Sequence, residues 1–448
     1  MEILGDDSST LLQFFNQADK LVNTVIGPEV ETDTTLPNLT EDSSPESNSS
    51  FFGFLDRAIG PTTETLWRRN LHRKIKRIGY PEMPSNSKTI ILFPTNGVGL
   101  GHFSRLYAIA HKIRQSNPSL RIVFVTSAPA EKFLTKEGII FHQLPDKRGL
   151  SRISTTRWNS LLNVYLKMLM NIYSPHFFIF DGTYPYHGLL SSLKENDKVS
   201  KVWVQRQTAR PLKNARQKAK VFDQIVNPTD STNFNEVSES PIIPTITCEP
   251  IICVEDEELL PKKVVREHLG IPNTATIVYL QLGAGVVNEI NGIVQVFLNE
   301  LIKHKELHVV MGGAILNDKN MNEGERIQTL RDYPNSIYYR GFDFAILAGG
   351  YNSYHEAIHF GLPTICVPNL ETQNDDQLAR VKVAERHGAM LVLTEINKES
   401  VQKAILSLMK ADTRELMRQN QAKLKRPNGA EKVAKILVDA IYQRNNNP

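Results

Sequence analysis

Cysteine is scarce: Cys248, Cys253 and Cys366 are the three in 448 residues. That is too few for a disulfide framework or a thiolate metal site, and it suits a reducing cytoplasm. No apolar run reaches the roughly 18 residues of a spanning segment, and mean hydropathy is -0.29, so a transmembrane helix is not expected. The Met1 end lacks a basic region followed by an apolar stretch, so a secretory signal is not expected either. The sequons at Asn38 and Asn48 then carry no meaning. With 41% hydrophobic and 22% charged residues the chain has a globular balance, and its length suits two or three domains.

A net charge of +4 conceals an asymmetry. Residues 1–57 hold eleven acids against Lys20 and Arg57, so the remainder carries a net charge of +13. Residues 1–86 read as an extension. A short amphipathic helix is expected around Leu11–Ile26, followed by a Pro/Ser/Thr/Asn-rich linker over residues 28–50. The basic segment Trp67–Arg77 has two readings, a helix packed on the body with its charges solvated and a contact with an anionic membrane surface. The first is favoured.

From Thr89 the texture becomes alternating strands and helices. Thr89–Thr95, Arg121–Ser127, Ile139–Leu144, His176–Phe180 and Lys201–Val204 read as strands, with a helix over Phe103–Ser116. A second series follows near Pro250: Thr276–Leu282, Leu307–Met311, Phe344–Leu347, Pro363–Val367 and Met390–Leu393, then three closing helices. Strand–helix alternation implies parallel sheets. The expected fold is therefore α/β, two doubly wound Rossmann-like domains facing across a cleft. The divisions are an extension over 1–86, one domain over 87–240 and another over 241–448, with the boundary in the Pro-punctuated stretch Asn227–Pro250.

Three strand-to-helix loops carry chemistry. In Asn96-Gly97-Val98-Gly99-Leu100-Gly101-His102 the glycines allow close backbone approach, and the imidazole can take a proton near neutral pH. The spacing is not the dinucleotide G-x-G-x-x-G, and no acid follows about 20 residues on. The plainer alternative is a histidine that only caps the loop. In Ala348-Gly349-Gly350-Tyr351-Asn352-Ser353-Tyr354-His355-Glu356, Ser353 and the helix-start amides suit a phosphate. Glu356 suits the two hydroxyls of a ribose, or simply compensates the helix dipole. In Pro368–Gln377, Asp376 and Gln377 suit sugar hydroxyls, with Asn374 or Asp375 as an alternative N-cap. Gly283-Ala284-Gly285 can approach a diphosphate. Asp181, at a strand end, has three open roles: binding an acceptor, orienting His102, or starting a turn.

Together these residues resemble the GT-B glycosyltransferases, most closely the family 28 group, over roughly residues 88–445. The resemblance implies an amino-terminal acceptor domain and a carboxyl-terminal nucleotide-sugar domain. It implies that Gly283, Ala284, Gly285, Gly349, Gly350, Asn352, Ser353, Glu356, Asp376, Gln377 and the backbone at Phe342 hold the nucleotide-sugar. His102 and Asp181 would be catalytic, with Gly99, Gly101 and Arg105 on the acceptor side. The sequence has no D-x-D metal signature, and Ala348 stands where retaining members carry a glutamate. The expectation is an inverting, metal-independent transfer from a UDP-sugar to a hydroxyl of a glycan or lipid-linked acceptor in cell-envelope or polysaccharide synthesis. The UDP-sugar is a co-substrate and no cofactor is expected. The enzyme would be cytoplasmic, peripheral on the inner face of the membrane.

The resemblance also implies an arginine near the start of the second domain. Glu249–Val254 has none, and Lys262, Lys263 and Arg266 are the substitutes in reach. The basic runs Lys147–Arg157 and Arg206–Lys220 suit either an anionic acceptor or a solvated helix face. Nucleic acid is not expected, because the runs lack interleaved aromatics. Two competing functions remain, a nucleotide-sugar hydrolase of the same architecture and a non-catalytic sugar-binding subunit.

Overall fold

A computed structural model describes residues 88–95, 100–128, 130–144, 154–206, 215–232, 243–283, 290–313, 324–372 and 375–443. The expected extension, Gly99, Ala284, Gly285 and most of the basic run Lys147–Arg157 lie outside them. In the first half, β1 (Thr89–Pro94), α1 (Gly101–Ser116), β2 (Arg121–Thr126), α2 (Glu131–Lys136) and β3 (Ile140–Gln143) succeed one another. They are followed by α3 (Thr155–Tyr173), β4 (Phe177–Asp181), α4 (His187–Lys194), β5 (Ser200–Val204), α5 (Ala215–Ala219), β6 (Gln224–Pro228) and β7 (Thr245–Cys248). The central strands β1 and β4 are short apolar runs, TIILFP and FFIFD, buried along their whole length. That is what a parallel strand covered on both faces requires.

The second half runs α6 (Lys262–Leu269), β8 (Thr276–Gln281), α7 (Ile290–Leu301), β9 (Leu307–Gly312), β10 (Ile327–Leu330) and β11 (Phe344–Ala348). Next come α8 (Tyr351–His359), β12 (Thr364–Val367), α9 (Gln377–Arg386), β13 (Leu391–Val392), α10 (Lys398–Met409), α11 (Ala411–Leu424) and α12 (Gly429–Gln443).

The strands form two parallel sheets, ordered β3-β2-β1-β4-β5-β6-β7 and β10-β9-β8-β11-β12-β13. These are two Rossmann-like domains, as the alternation predicts. The strand order reverses between β1 and β4 in one sheet and between β8 and β11 in the other, and ligands of such sheets bind outside the strand ends at that reversal. Of the loops singled out in the sequence, those after β1, β8 and β11 flank these reversals, and Pro368–Gln377 follows β12. Pairing of Pro94 with Asp181 brings the ends of β1 and β4 side by side.

Two features depart from the sequence expectations. Thr245–Cys248 lies in the stretch read as the domain boundary, on the side given to the second domain, yet it pairs with β6 as the last strand of the first sheet. The closing helix α12 buries Ala430, Val433, Ala434, Leu437 and Ile441 in the same core as Ile90, Leu92, Leu106, Ile109 and Ile113 of β1 and α1. An amphipathic stripe identifies a buried face but not the surface that covers it.

Contacts divide the chain into two compact units, and both sheets belong to one of them. The other includes α3 and α4. Ser154 caps α3 by accepting from the Arg157 amide at 3.2 Å. Asn159 Oδ1 accepts from the Gly188 amide at 2.8 Å, joining α3 to α4. The apolar face of α3, including Leu162, Leu166 and Leu169, is buried.

Candidate active site

The β1–α1 junction places His102 in the first turn of α1 and Arg105 one turn on. At the end of β4, Asp181 is fully buried, with Oδ1 2.6 Å from His102 Nδ1. Arg105 grips the same carboxylate, Nε donating to Oδ2 at 2.9 Å and Nη2 to Oδ1 at 2.6 Å. Burial would raise the carboxyl, but the Arg105 charge and the His102 contact hold it below its ordinary range. An ionised carboxylate only accepts, so on its 2.6 Å contact the proton of a neutral His102 sits on Nδ1 and Nε2 keeps its lone pair, whereas the Arg105 Nη2 donor, 2.8 Å from the same Nδ1, favours the other tautomer. Among the described residues Nε2 has no partner. Burial lowers the imidazole below 6.5 against the opposing pull of Asp181, and Arg105 and Arg206 add to the lowering. The ring is therefore neutral at pH 7, a quarter exposed, and able to accept a proton.

The β11–α8 junction supplies the opposite side. Gly350 precedes α8, and no side chain caps the helix's first amides. Ser353 has no hydrogen-bond partner among the described residues. Asn352 Nδ2 donates to the Gly101 carbonyl at 3.4 Å, so the start of α8 meets the start of α1. Its Oδ1 is buried without a partner among the described residues. Gly349 lies against α9, where a Cβ would stand 3.0 Å from Val381 Cγ1 and 3.2 Å from Gln377 Cβ. A side chain there would require these neighbours to give by a few tenths of an ångström. Gly283, after β8, has a φ of +99, which favours glycine.

Glu356 accepts from Ser336 Oγ at 3.3 Å and from the Cys253 amide, and burial raises it from 4.5 to about 7. It is a carboxylate poised near neutrality with too few donors to satisfy it. Gln377 is buried, and its Oε1 accepts from the Asn369 amide at 2.9 Å, which fixes the β12–α9 loop. Its Nε2 has no partner among the described residues. Asp376 is the N-cap of α9, accepting from the Ala379 amide at 2.9 Å, where Asn374 or Asp375 had been the alternative caps. The Phe342 ring is buried and stacks on Tyr279 at 4.8 Å, and its amide donates to the Tyr339 carbonyl at 3.2 Å. His102, Arg105 and Asp181 thus converge, and Asn352 reaches the residue before His102.

Several residues at this junction escaped the sequence reading. Asp230, just past β6, accepts from Arg380 Nε at 3.0 and 2.9 Å and contacts His355 Nε2 at 3.2 Å. The Arg380 and His355 contacts hold its carboxyl far below its ordinary value despite burial. Arg380 also donates to the Gly349 carbonyl at 2.8 Å and pairs with Asp375. Tyr351 opens α8, with the guanidinium carbons of Arg206, Arg105 and Arg380 at 4.7, 5.6 and 5.7 Å from its ring centre. Arg206, read from sequence as part of a run facing an acceptor or solvent, therefore packs beside α8. Asp230 follows a strand end as Asp181 does, and that position was the available signal.

Residues 290–434 match the family model described as "Glycosyltransferase family 28 C-terminal domain". Two curated relatives are named "UDP-N-acetylglucosamine--N-acetylmuramyl-(pentapeptide) pyrophosphoryl-undecaprenol N-acetylglucosamine transferase". The one from Aquifex aeolicus is 29% identical over 177 residues, 37% of this chain and 48% of that protein. The chain thus spans about half the length of that relative. The one from Clostridioides difficile is 22% identical over 340 residues, 71% of this chain and 81% of that protein. Among solved structures, spinosyn forosaminyltransferase SpnP superposes with a TM-score of 0.53 at 13% identity, covering 80% of this chain and all of that one. The calicheamicin glycosyltransferase CalG4 gives 0.52 at 14%, covering 80% and 99%. At these identities the structural likeness speaks for the fold alone. The architecture is GT-B, and the carboxyl-terminal domain is family 28-like.

Proposed function

We propose that the protein is an inverting, metal-independent glycosyltransferase that moves a sugar from a UDP-sugar to a hydroxyl of a glycan or lipid-linked acceptor. The observation that carries this reading is the meeting of a neutral, carboxylate-oriented His102 with the uncapped start of α8. One side accepts a proton, and the other presents amides and the Ser353 hydroxyl to an anion. The family 28 match over the second domain supports a nucleotide-sugar there, and the relatives' names supply the lipid-linked acceptor and the envelope context. No helix among the described residues is long and apolar enough to cross a membrane. Peripheral association on the inner face would bring such an acceptor to the enzyme.

In this mechanism His102 Nε2 removes the acceptor hydroxyl's proton, and Asp181 stabilises the imidazolium. The oxygen's electron pair bonds to the anomeric carbon from the face opposite the diphosphate. The bond from that carbon to the β-phosphate oxygen breaks, and its electron pair departs with the nucleoside diphosphate. Configuration inverts. The amides at α8, the helix dipole, Ser353 and the Gly283 loop stabilise the leaving charge. Glu356 accepts from the ribose, and Gln377 and Asp376 face the sugar. The lack of a D-x-D and of a glutamate at Ala348 favours this path.

Thermal unfolding in the presence of UDP-, GDP-, CDP- and dTDP-sugars tests the donor, since a ligand of the native state stabilises it by mass action. A UDP-sugar is expected to raise the midpoint; no shift with any donor would remove the basis of the reading. His102→Ala should lower turnover by 10²–10⁴-fold while donor binding persists. Stoichiometric release of free sugar without an acceptor would favour a hydrolase instead.

A further inference from the structure

On the reading above, the departing nucleoside diphosphate gains one negative charge, and a cation beside it would stabilise that charge. The cations nearest the start of α8 are the three arginines around Tyr351. Two are already committed. Arg380, 1% exposed, spends Nε and both terminal nitrogens on Asp230, Asp375 and the Gly349 carbonyl. Arg105, 3% exposed, has its two-pronged edge closed on Asp181.

Arg206 differs. Its one hydrogen bond among the described residues runs from Nη1 to Asp375 Oδ1 at 3.2 Å, and Arg380 shares that oxygen. Asp230 is farther, at 3.8 Å. Nε and Nη2 make no hydrogen bond among the described residues, and the side chain is 18% exposed. The guanidinium lies over the ring of the residue that opens α8 and close enough to His102 to bias its protonation. The lysines and arginine suggested by sequence are occupied elsewhere. Arg266 and Lys262 both bond Asp343, at 2.9 Å each, and Lys263 is 80% exposed beside Glu267.

We propose that Arg206 is a donor-diphosphate ligand, its free N–H groups meeting the phosphate oxygens between the start of α8 and His102. It makes the site selective for nucleoside diphosphates over the bare nucleoside. Asp375 holds it at 3.2 Å and yields when the stronger phosphate partner arrives.

Calorimetric titration of wild type, Arg206→Gln and Arg206→Lys with UDP and with uridine tests this. Arg206→Gln is expected to weaken UDP on the order of 10- to 100-fold and to leave uridine unchanged. Arg206→Lys keeps the charge and the Asp375 pair, and should recover part of the loss. Equal weakening of UDP and uridine would mean a structural role and overturn the assignment, as would unchanged UDP affinity in Arg206→Gln. If wild type binds neither compound, the nucleotide-sugar reading falls and Arg206 with it. If wild type binds UDP and the variants bind it equally well, Arg206 alone is refuted.

Discussion

Glu356 offers a perturbation whose magnitude can be worked from the structure. Burial raises its carboxyl from 4.5 to about 7, with Ser336 and the Cys253 amide only partly offsetting that rise. In the unfolded chain the group ionises near its ordinary value. Between those two values the native state keeps a proton that the unfolded state has released, so stability falls as pH rises. At about 1.4 kcal/mol for each pH unit, the rise from 4.5 to about 7 makes the ionised group roughly 3 kcal/mol unfavourable at pH 8. Glu356→Gln removes the titration while keeping the shape. Its midpoint relative to wild type should climb on the order of 5 °C between pH 5 and pH 8, read by differential scanning fluorimetry without ligand. A nucleoside diphosphate whose ribose hydroxyls donate to this carboxylate needs it ionised. Wild-type UDP affinity should therefore be about tenfold greater at pH 8 than at pH 6, and Glu356→Gln should lose both that dependence and most of the affinity. Parallel melting profiles of wild type and variant from pH 5 to 8 would refute the argument about burial. A pH-independent UDP affinity would refute the ribose contact.

Two further outcomes follow from buried ions. His111 on α1 bonds Glu137 and Glu258, and those hydrogen bonds raise it from 6.5 to about 9. Its contribution is complete below pH 6.5 and is lost as pH passes through 9. His111→Gln should thus abolish a decline in stability of up to roughly 3 kcal/mol across that window, seen as a flattened denaturation profile. Asp230→Asn leaves Arg380 and His355 without their main anion and should cost about 3–5 kcal/mol, whereas Asp230→Leu combined with Arg380→Met should cost much less. Urea denaturation of Asp230→Asn and of the double variant measures the difference.

Much of the fold was legible because both sheets are parallel. Strands buried on both faces are short unbroken apolar runs, as in Thr89–Pro94 and Phe177–Asp181, and helices with one apolar stripe separate them. The strands that escaped notice, β6, β7 and β10, carry Gln224, Asn227, Thr245, Thr247, Gln328 and Thr329, so their apolar signal is diluted. The motif loops were legible for a related reason. Glycine at a strand end followed by a helix start has few purposes other than close approach to a ligand.

Pairings that close over long separations are the hardest to read from one sequence. His102 and Asp181 stand 79 residues apart, and their contact was one of three roles left open for Asp181, whereas Arg380 and Asp230, 150 apart, were not paired at all. Periodicity reports which face of an element is apolar, not which charged tip will meet which. Arg206 shows the consequence. In the sequence it opens a basic run, and such runs usually face water. In the fold it lies two residues past the end of β5, and Tyr351, Asp375 and Asp230 converge on it there. The three arginines and the aspartates Asp181, Asp230 and Asp375 balance in charge, so the basic excess of the body is not concentrated at this junction. Attraction for an anionic donor must therefore arise locally, from donors that the balancing carboxylates leave free, and Arg206 is the arginine with most of them.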